Sequence, residues 1–253
     1  MTIFYIINII ILVVIFLNLT LVAGILPLIE RKVLSLMQRR VGPYFLGYRG
    51  RLQFIADAVK ILIKDFFVPY KVNFILFIFS PTCMLTLCYL FWLNIFWGKN
   101  LFFIEVEYNI VFFLFLGVFT NICILLTGYY SNNKYAFLGS LRTAVTFFIL
   151  EILMSLFFLN IIVINNSFSL FYFWNWQEEL FLFIYFLGIA PLIIIITLLE
   201  VNKAPFDLSE AESELVTGFH TEYGSFLFGL YYLGEYFHIF FFSIVLVVLL
   251  FGC

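Results

Sequence analysis

Charge is what this sequence lacks most: 11% of its 253 residues are Asp, Glu, Lys or Arg, against 65% hydrophobic. Soluble domains hold roughly half apolar and about a quarter charged residues, so water is excluded as the main solvent of this chain. Proline is scarce too, with six in all, and no Pro-rich or Gly/Ser-rich stretch divides the chain, which argues for a single membrane domain over residues 1–253. No repeat of fixed period is visible, which speaks against solenoids and against the repeat symmetry of many transporters. Cys83, Cys88, Cys123 and Cys253 lack C-x-x-C or zinc-ligand spacing and read as packing residues. There is no Gly-rich phosphate loop, nucleophile elbow, haem attachment motif or His pair at helical spacing, so no redox centre, metal or nucleic-acid partner is expected of this chain itself. An Arg-rich, Ser-rich transit peptide is also missing, and the first apolar run is too long for a signal-peptide core.

Long apolar runs take the place of what is missing. Windows 2–29, 72–97, 108–133 and 180–199 carry no charge, and each reaches the roughly 20 residues that cross about 30 Å of hydrocarbon. Two more, 143–164 with Glu151 and 224–253 with Glu235, make six spans. A barrel would need short segments of alternating polarity, and these runs are apolar on every side. The expected fold is therefore all-α and polytopic, with helices near 3–29, 72–97, 108–130, 143–164, 180–200 and 224–251. Nine of the thirteen basic residues lie in the first loop and three more in the third and fifth, leaving Lys99 alone on the other side. By the positive-inside rule the odd-numbered loops face the cytoplasm or matrix. The 37 Phe residues suggest an AT-rich coding genome, and with no import signal they point to synthesis inside an organelle.

Two long loops, 30–71 and 201–223, lie on the basic side, and loops of that length are usually functional when they are too apolar to be disordered. After the turn-rich stretch Gly42-Pro43, Gly47 and Gly50, residues 52–67 read as a helix. Its polar residues Gln53, Asp57, Lys60 and Lys64 recur at helical spacing within an arc of roughly 60°. Such a narrow stripe fits either an interfacial helix on lipid headgroups or the lining of a polar slot within the protein, and the slot is the preferred reading. The second loop concentrates acids: Glu200, Asp207, Glu210, Glu212, Glu214 and Glu222 are six of the fifteen in the chain. A capping box, Ser209-x-x-Glu212, accounts for only part of the set, and a solvated acidic surface is the alternative.

Glu151 and Glu235 sit at bilayer depth, where an ionised carboxylate costs on the order of 3 kcal/mol, so such residues face a bundle interior, protonate or pair. A string of them can hold and pass protons; the alternative is a neutral, hydrogen-bonded acid that glues helices together. His238, three residues after Glu235, has no matching metal motif elsewhere and reads as a core histidine.

Four stretches resemble the quinone-site membrane subunit family of proton-pumping NADH:ubiquinone oxidoreductase, respiratory complex I. They are Glu30-Arg31-Lys32 followed by Gln38-Arg39-Arg40-Val41-Gly42-Pro43; Leu52-Gln53-Phe54-Ile55-Ala56-Asp57-Ala58-Val59-Lys60; Tyr135-Ala136-Phe137-Leu138-Gly139-Ser140-Leu141-Arg142 with Glu151 beyond it; and Glu200-Val201-Asn202-Lys203-Ala204-Pro205-Phe206-Asp207-Leu208 running on through Glu210, Glu212, Glu214, Gly218-Phe219 and Glu222-Tyr223 to Glu235-Tyr236. The resemblance implies that Arg31, Arg40, Phe54, Asp57, Phe228 and Tyr232 lie on or near a tunnel for the ubiquinone ring. It implies further that Arg142, Glu151, Glu200, Glu210, Glu212, Glu214, Glu222 and Glu235 belong to an acidic path coupling quinone reduction to proton pumping. Ubiquinone would be the substrate. NADH, flavin and iron–sulfur clusters would sit on other subunits, with peripheral quinone-site and iron–sulfur subunits, small membrane subunits and lipid as partners, in the mitochondrial inner membrane with the odd-numbered loops on the matrix side.

Departures from the family pattern are Phe54 for a proline, Tyr44 for an asparagine, Thr146 and Leu150 for a glutamine and a tyrosine, and His238 for the usual residue. Family members continue past the sixth helix with a basic loop and two further helices, so a separate C-terminal fragment is expected to complete the subunit. Other readings are a sister subunit of an ion-pumping hydrogenase or formate-linked complex, an autonomous proton-coupled transporter, and a purely structural anchor.

Overall fold

The computed structural model describes residues 2–95, 108–170, 172, 177, 188–202, 206 and 218–251. Their helices are α1 (Thr2–Met37), α2 (Gln53–Ile63), α3 (Phe74–Leu93), α4 (Asn109–Tyr130), α5 (Lys134–Asn165), α6 (Ala190–Glu200) and α7 (Ser225–Phe251). Among the described residues five segments are long and apolar enough to cross a membrane: Ile11–Met37, Phe74–Leu93, Asn109–Tyr130, Lys134–Ile164 and Ser225–Leu250. The sixth expected span is represented by the shorter apolar helix Ala190–Glu200; its earlier residues, 180–187, lie outside the described residues. The chain groups into two compact units, Met1–Phe67 with Gly224–Phe237, and Val68–Tyr223 with His238–Cys253.

In the first unit, α1 runs eight residues past the end of its apolar window, so Glu30, Arg31 and Lys32 stand on the helix and not in a loop. Hydropathy marks where the membrane ends, but Glu, Arg, Lys, Leu and Met all favour helix, and nothing in 30–37 interrupts the backbone bonds. The helix stops where Arg39 turns to φ 54°. The loop returns to it, with the Lys32 ammonium donating to the Arg49 carbonyl at 2.8 Å. The next helix, expected over 52–67, ends at Ile63. There the Ser225 hydroxyl at the start of α7 donates to the Lys64 carbonyl at 2.6 Å, capturing one of the orphan acceptors of a helix end. Phe54 reaches α1 beside Gly24, and Ile61 faces Gly229 of α7, so α2 is held against both neighbours.

The second unit is built on aromatic packing. Phe113 of α4 meets Phe91 of α3, Phe158 of α5 and Phe241 of α7 at ring-centroid distances of 5.6, 5.3 and 5.5 Å. Arrangements at these distances add to the burial of the rings themselves. Phe77 stacks on Tyr223 at 4.2 Å, and the Tyr223 hydroxyl shares a hydrogen bond with Ser80 at 3.1 Å. His238 packs among rings as expected of a core residue, with Phe91 at 5.0 Å and Phe242 at 5.3 Å. Cys83, Cys88 and Cys123 are free, and the thiols of Cys83 and Cys123 approach to 3.3 Å at the α3–α4 contact.

Small residues let α4 and α5 come together, as is common where helices associate in lipid. Gly128 leaves room for the Ser140 hydroxyl, and Gly139 lies against the backbone of Gly218 and Phe219. An alanine Cβ at 139 would fall 2.8 Å from the Gly218 carbonyl carbon and 3.0 Å from the Phe219 nitrogen, both backbone atoms that no rotamer change can move. Gly139→Ala should therefore destabilise the protein by about 1–3 kcal/mol. Gly188→Ala, with nothing within 4 Å, is the control; equal thermal stability of the two variants in detergent would exclude this contact as structural.

Candidate functional site

Each unit carries one polar constellation, and the one in the first unit begins on α2. Gln53 and Asp57 are one turn apart on the same face, so the Gln53 amide donates to Asp57 Oδ1 at 2.9 Å. The other carboxylate oxygen, Oδ2, accepts from Arg31 Nη1 of α1 at 2.7 Å. Tyr232 of α7 also faces the Arg31 guanidinium. Its hydroxyl lies 3.4 Å from that of Tyr236, a long contact, and Tyr236 donates to Glu30 Oε2 at 2.7 Å. Phe228, Tyr232 and Tyr236 follow at four-residue spacing on α7, with ring centroids 6.1 and 4.8 Å apart. The result is a line of donors and acceptors from Gln53 to Glu30 with a ribbon of aromatic rings beside it.

Arg31, Asp57, Phe228 and Tyr232 are thus brought together. Phe54 stands on the same helix as Asp57 against Gly24 of α1, while Arg40 is exposed in the turn after α1 and takes no part in the network. Lys60 and Lys64 of the expected stripe are exposed. Glu30 and Tyr236 join the network although the pattern of residues did not single them out. Glu30 precedes Arg31 directly and Tyr236 follows Tyr232 by one turn, but a chain position alone does not tell which of two adjacent helical residues faces a neighbour.

The second unit holds acids. Glu151 of α5 is half-buried, and Glu200, at the last turn of α6, is 6% exposed and within electrostatic reach of it. Neither Glu151 Oε1 nor Glu200 Oε2 has a hydrogen-bond partner among the described residues. Asn121 of α4 lies beside the Glu151 carboxyl, yet its Nδ2 closes no hydrogen bond there. Glu222 accepts from Asn133 Nδ2 at 2.6 Å, and the same Asn133 caps α5 by accepting from the Tyr135 backbone amide at 3.0 Å. Arg142 is exposed on α5. In the first unit, Glu235 is half-buried on α7. Glu210, Glu212 and Glu214, with Asp207 and the Ser209-x-x-Glu212 capping box, lie outside the described residues. Among the described residues no group of three His, Cys, Asp or Glu side chains could hold a metal ion.

Spanning helices, inward acids and an extra-membrane helix that carries a polar stripe define a polytopic α-helical membrane protein. Its sequence matches the family model described as NADH dehydrogenase over residues 8–253. It is 48% identical over 240 residues to NADH-ubiquinone oxidoreductase chain 1 of Paramecium tetraurelia, covering 95% of this chain and 92% of that one. The protein of the same name from Priodontes maximus is 37% identical over 227 residues, covering 90% and 71% of the two chains. A bacterial-type relative, an NADH-quinone oxidoreductase subunit of Rhodospirillum centenum, is 38% identical over 223 residues, covering 88% and 66%. The chain belongs to the NADH dehydrogenase family.

The Arg31–Asp57 pair is too open to the surroundings to be a structural clamp, with side chains 50% and 36% exposed. Exposed pairs contribute about 0–1 kcal/mol. Arg31→Met should accordingly leave the thermal stability of the detergent-extracted protein within about 1 kcal/mol of the parent. A larger loss, measured by thermal unfolding, would assign the pair a structural role.

Proposed function

We propose that this chain is the quinone-site membrane subunit of a proton-translocating NADH:ubiquinone oxidoreductase. On this reading Arg31, Asp57, Tyr232, Phe228 and Phe54, with Arg40 nearer the mouth, line part of the tunnel that admits the quinone ring. The observation that carries it is the network running from Gln53 through Asp57 and Arg31 to the tyrosines of α7. A guanidinium fixed by one carboxylate keeps further N–H donors for a carbonyl oxygen. Tyrosine hydroxyls can donate or accept, and the adjacent rings give a flat, apolar surface suited to a planar headgroup. The names of the relatives, oxidoreductases of ubiquinone or quinone, support the same substrate.

Electrons would arrive from an iron–sulfur cluster on a peripheral subunit, with NADH and flavin bound further away. Glu151, Glu200, Glu210, Glu212, Glu214, Glu222, Glu235 and Arg142 would serve proton coupling. Support for that role comes from the buried, incompletely bonded carboxyls of Glu151 and Glu200, since such groups are costly to keep in a membrane without a use. The setting would be the mitochondrial inner membrane, with the basic loops on the matrix side.

Arg31→Ala in the assembled complex should abolish most NADH:quinone activity while NADH oxidation by an artificial electron acceptor stays at the parental rate. Equal loss of both would mean failed assembly, and full quinone activity would remove Arg31 from the site. Asp57→Leu provides an independent measurement. It makes α2 more apolar and would suit a helix resting on lipid, so unchanged turnover and quinone affinity would exclude the slot, whereas impaired turnover with a normal amount of complex supports it.

A further inference from the structure

The Glu151 carboxyl occupies a space that α4 has left open for it. A Cβ added at Gly117 would collide with Glu151 Oε1, so any side chain at 117 would displace that oxygen. Asn121 lies one turn further along the same face of α4. It is 2% exposed, beside the Glu151 carboxyl, and its Nδ2 has no acceptor among the described residues. The intervening Thr120 hydroxyl is turned back onto the Gly117 carbonyl at 2.8 Å, so it does not compete for the carboxyl. An amide donor buried without an acceptor is costly. A small rotation of the neighbouring carboxyl would supply one. Glu200, with its own unpaired Oε2, faces Glu151 from α6.

We propose that Gly117 and Asn121 form a socket for the Glu151 carboxyl, Gly117 by leaving its volume free and Asn121 by donating a hydrogen bond when the carboxyl turns toward it, so that Glu151 is aligned to exchange a proton with Glu200. In that exchange one carboxyl loses the proton that the other gains, and no further reactant is needed. Both are positioning residues acting through Glu151, and the inference rests on the role proposed for that acid. Tight alignment matters because displacement of a reacting group by even 1 Å can cost about a hundredfold in rate.

The test uses the assembled complex in sealed vesicles, with NADH oxidation by an artificial acceptor and complex amount on native gels as measures of integrity. Gly117→Ala should lower quinone-coupled proton pumping by about tenfold or more. Glu151→Asp, which withdraws the carboxyl by one methylene, should also be impaired by itself. The double variant Gly117→Ala/Glu151→Asp should pump better than either single one, because the shortened acid vacates the space the new methyl group takes. Asn121→Leu should shift the infrared carboxyl band identified by its loss in Glu151→Gln. If Asn121→Leu does not assemble, the glycine and glutamate cycle decides alone, since it adds only a methyl group. Parental pumping by Gly117→Ala and Asn121→Leu, no rescue in the double variant and an unmoved band, with Glu151→Gln inactive, would overturn the socket and leave the role of Glu151 standing. Parental pumping by Glu151→Gln would remove that role and the socket together.

Discussion

The hydrocarbon core of a membrane offers no water, so every polar group that enters it must be satisfied by the chain itself. The helices meet this demand largely by turning hydroxyls back on their own backbone. Thr82, Thr86, Thr120, Thr127, Ser140, Thr143, Thr146, Ser155, Thr197 and Ser243 all donate to carbonyls three or four residues earlier. A hydroxyl disposed of in this way costs little and takes no part in recognition. It lets serine and threonine act as small packing residues, as Ser140 does against Gly128.

Against that background the carboxyls and carboxamides stand apart. Their side chains cannot fold back so easily, and several remain incompletely bonded: Asn121 Nδ2, Glu151 Oε1 and Glu200 Oε2 in the second unit. The first unit solves the same problem differently. Asp57 has both oxygens engaged, by Gln53 and by Arg31, and Glu30 accepts from Tyr236. A saturated network holds its members in place, whereas an unsaturated group of acids leaves capacity for a proton. The contrast fits a division between orienting a substrate and moving charge.

Glycine serves both ends. At Gly139 the absence of a Cβ lets α5 approach the backbone at Gly218, which is a matter of packing. At Gly117 the same absence makes room for a functional carboxyl. The two uses look alike in the sequence and differ only in what fills the space.

Hydropathy and charge were sufficient to determine that this chain spans a membrane as a helical bundle, because windows such as 72–97 and 108–133 have no other stable solution. The spacing of Gln53, Asp57, Lys60 and Lys64 likewise determined that α2 has one polar face. How far α1 runs beyond Ile29 was not legible from hydropathy, since backbone hydrogen bonding continues past the membrane edge wherever no residue interrupts it. Only the tertiary structure decided that the stripe divides, with Asp57 turned to Arg31 and Lys60 left exposed, because the partner stands 26 residues away on another helix. It alone decided that Glu151 meets Gly117, Asn121 and Glu200. Those contacts are made by three separate helices, and sequence periodicity orders residues along one helix without stating which face of another it will meet.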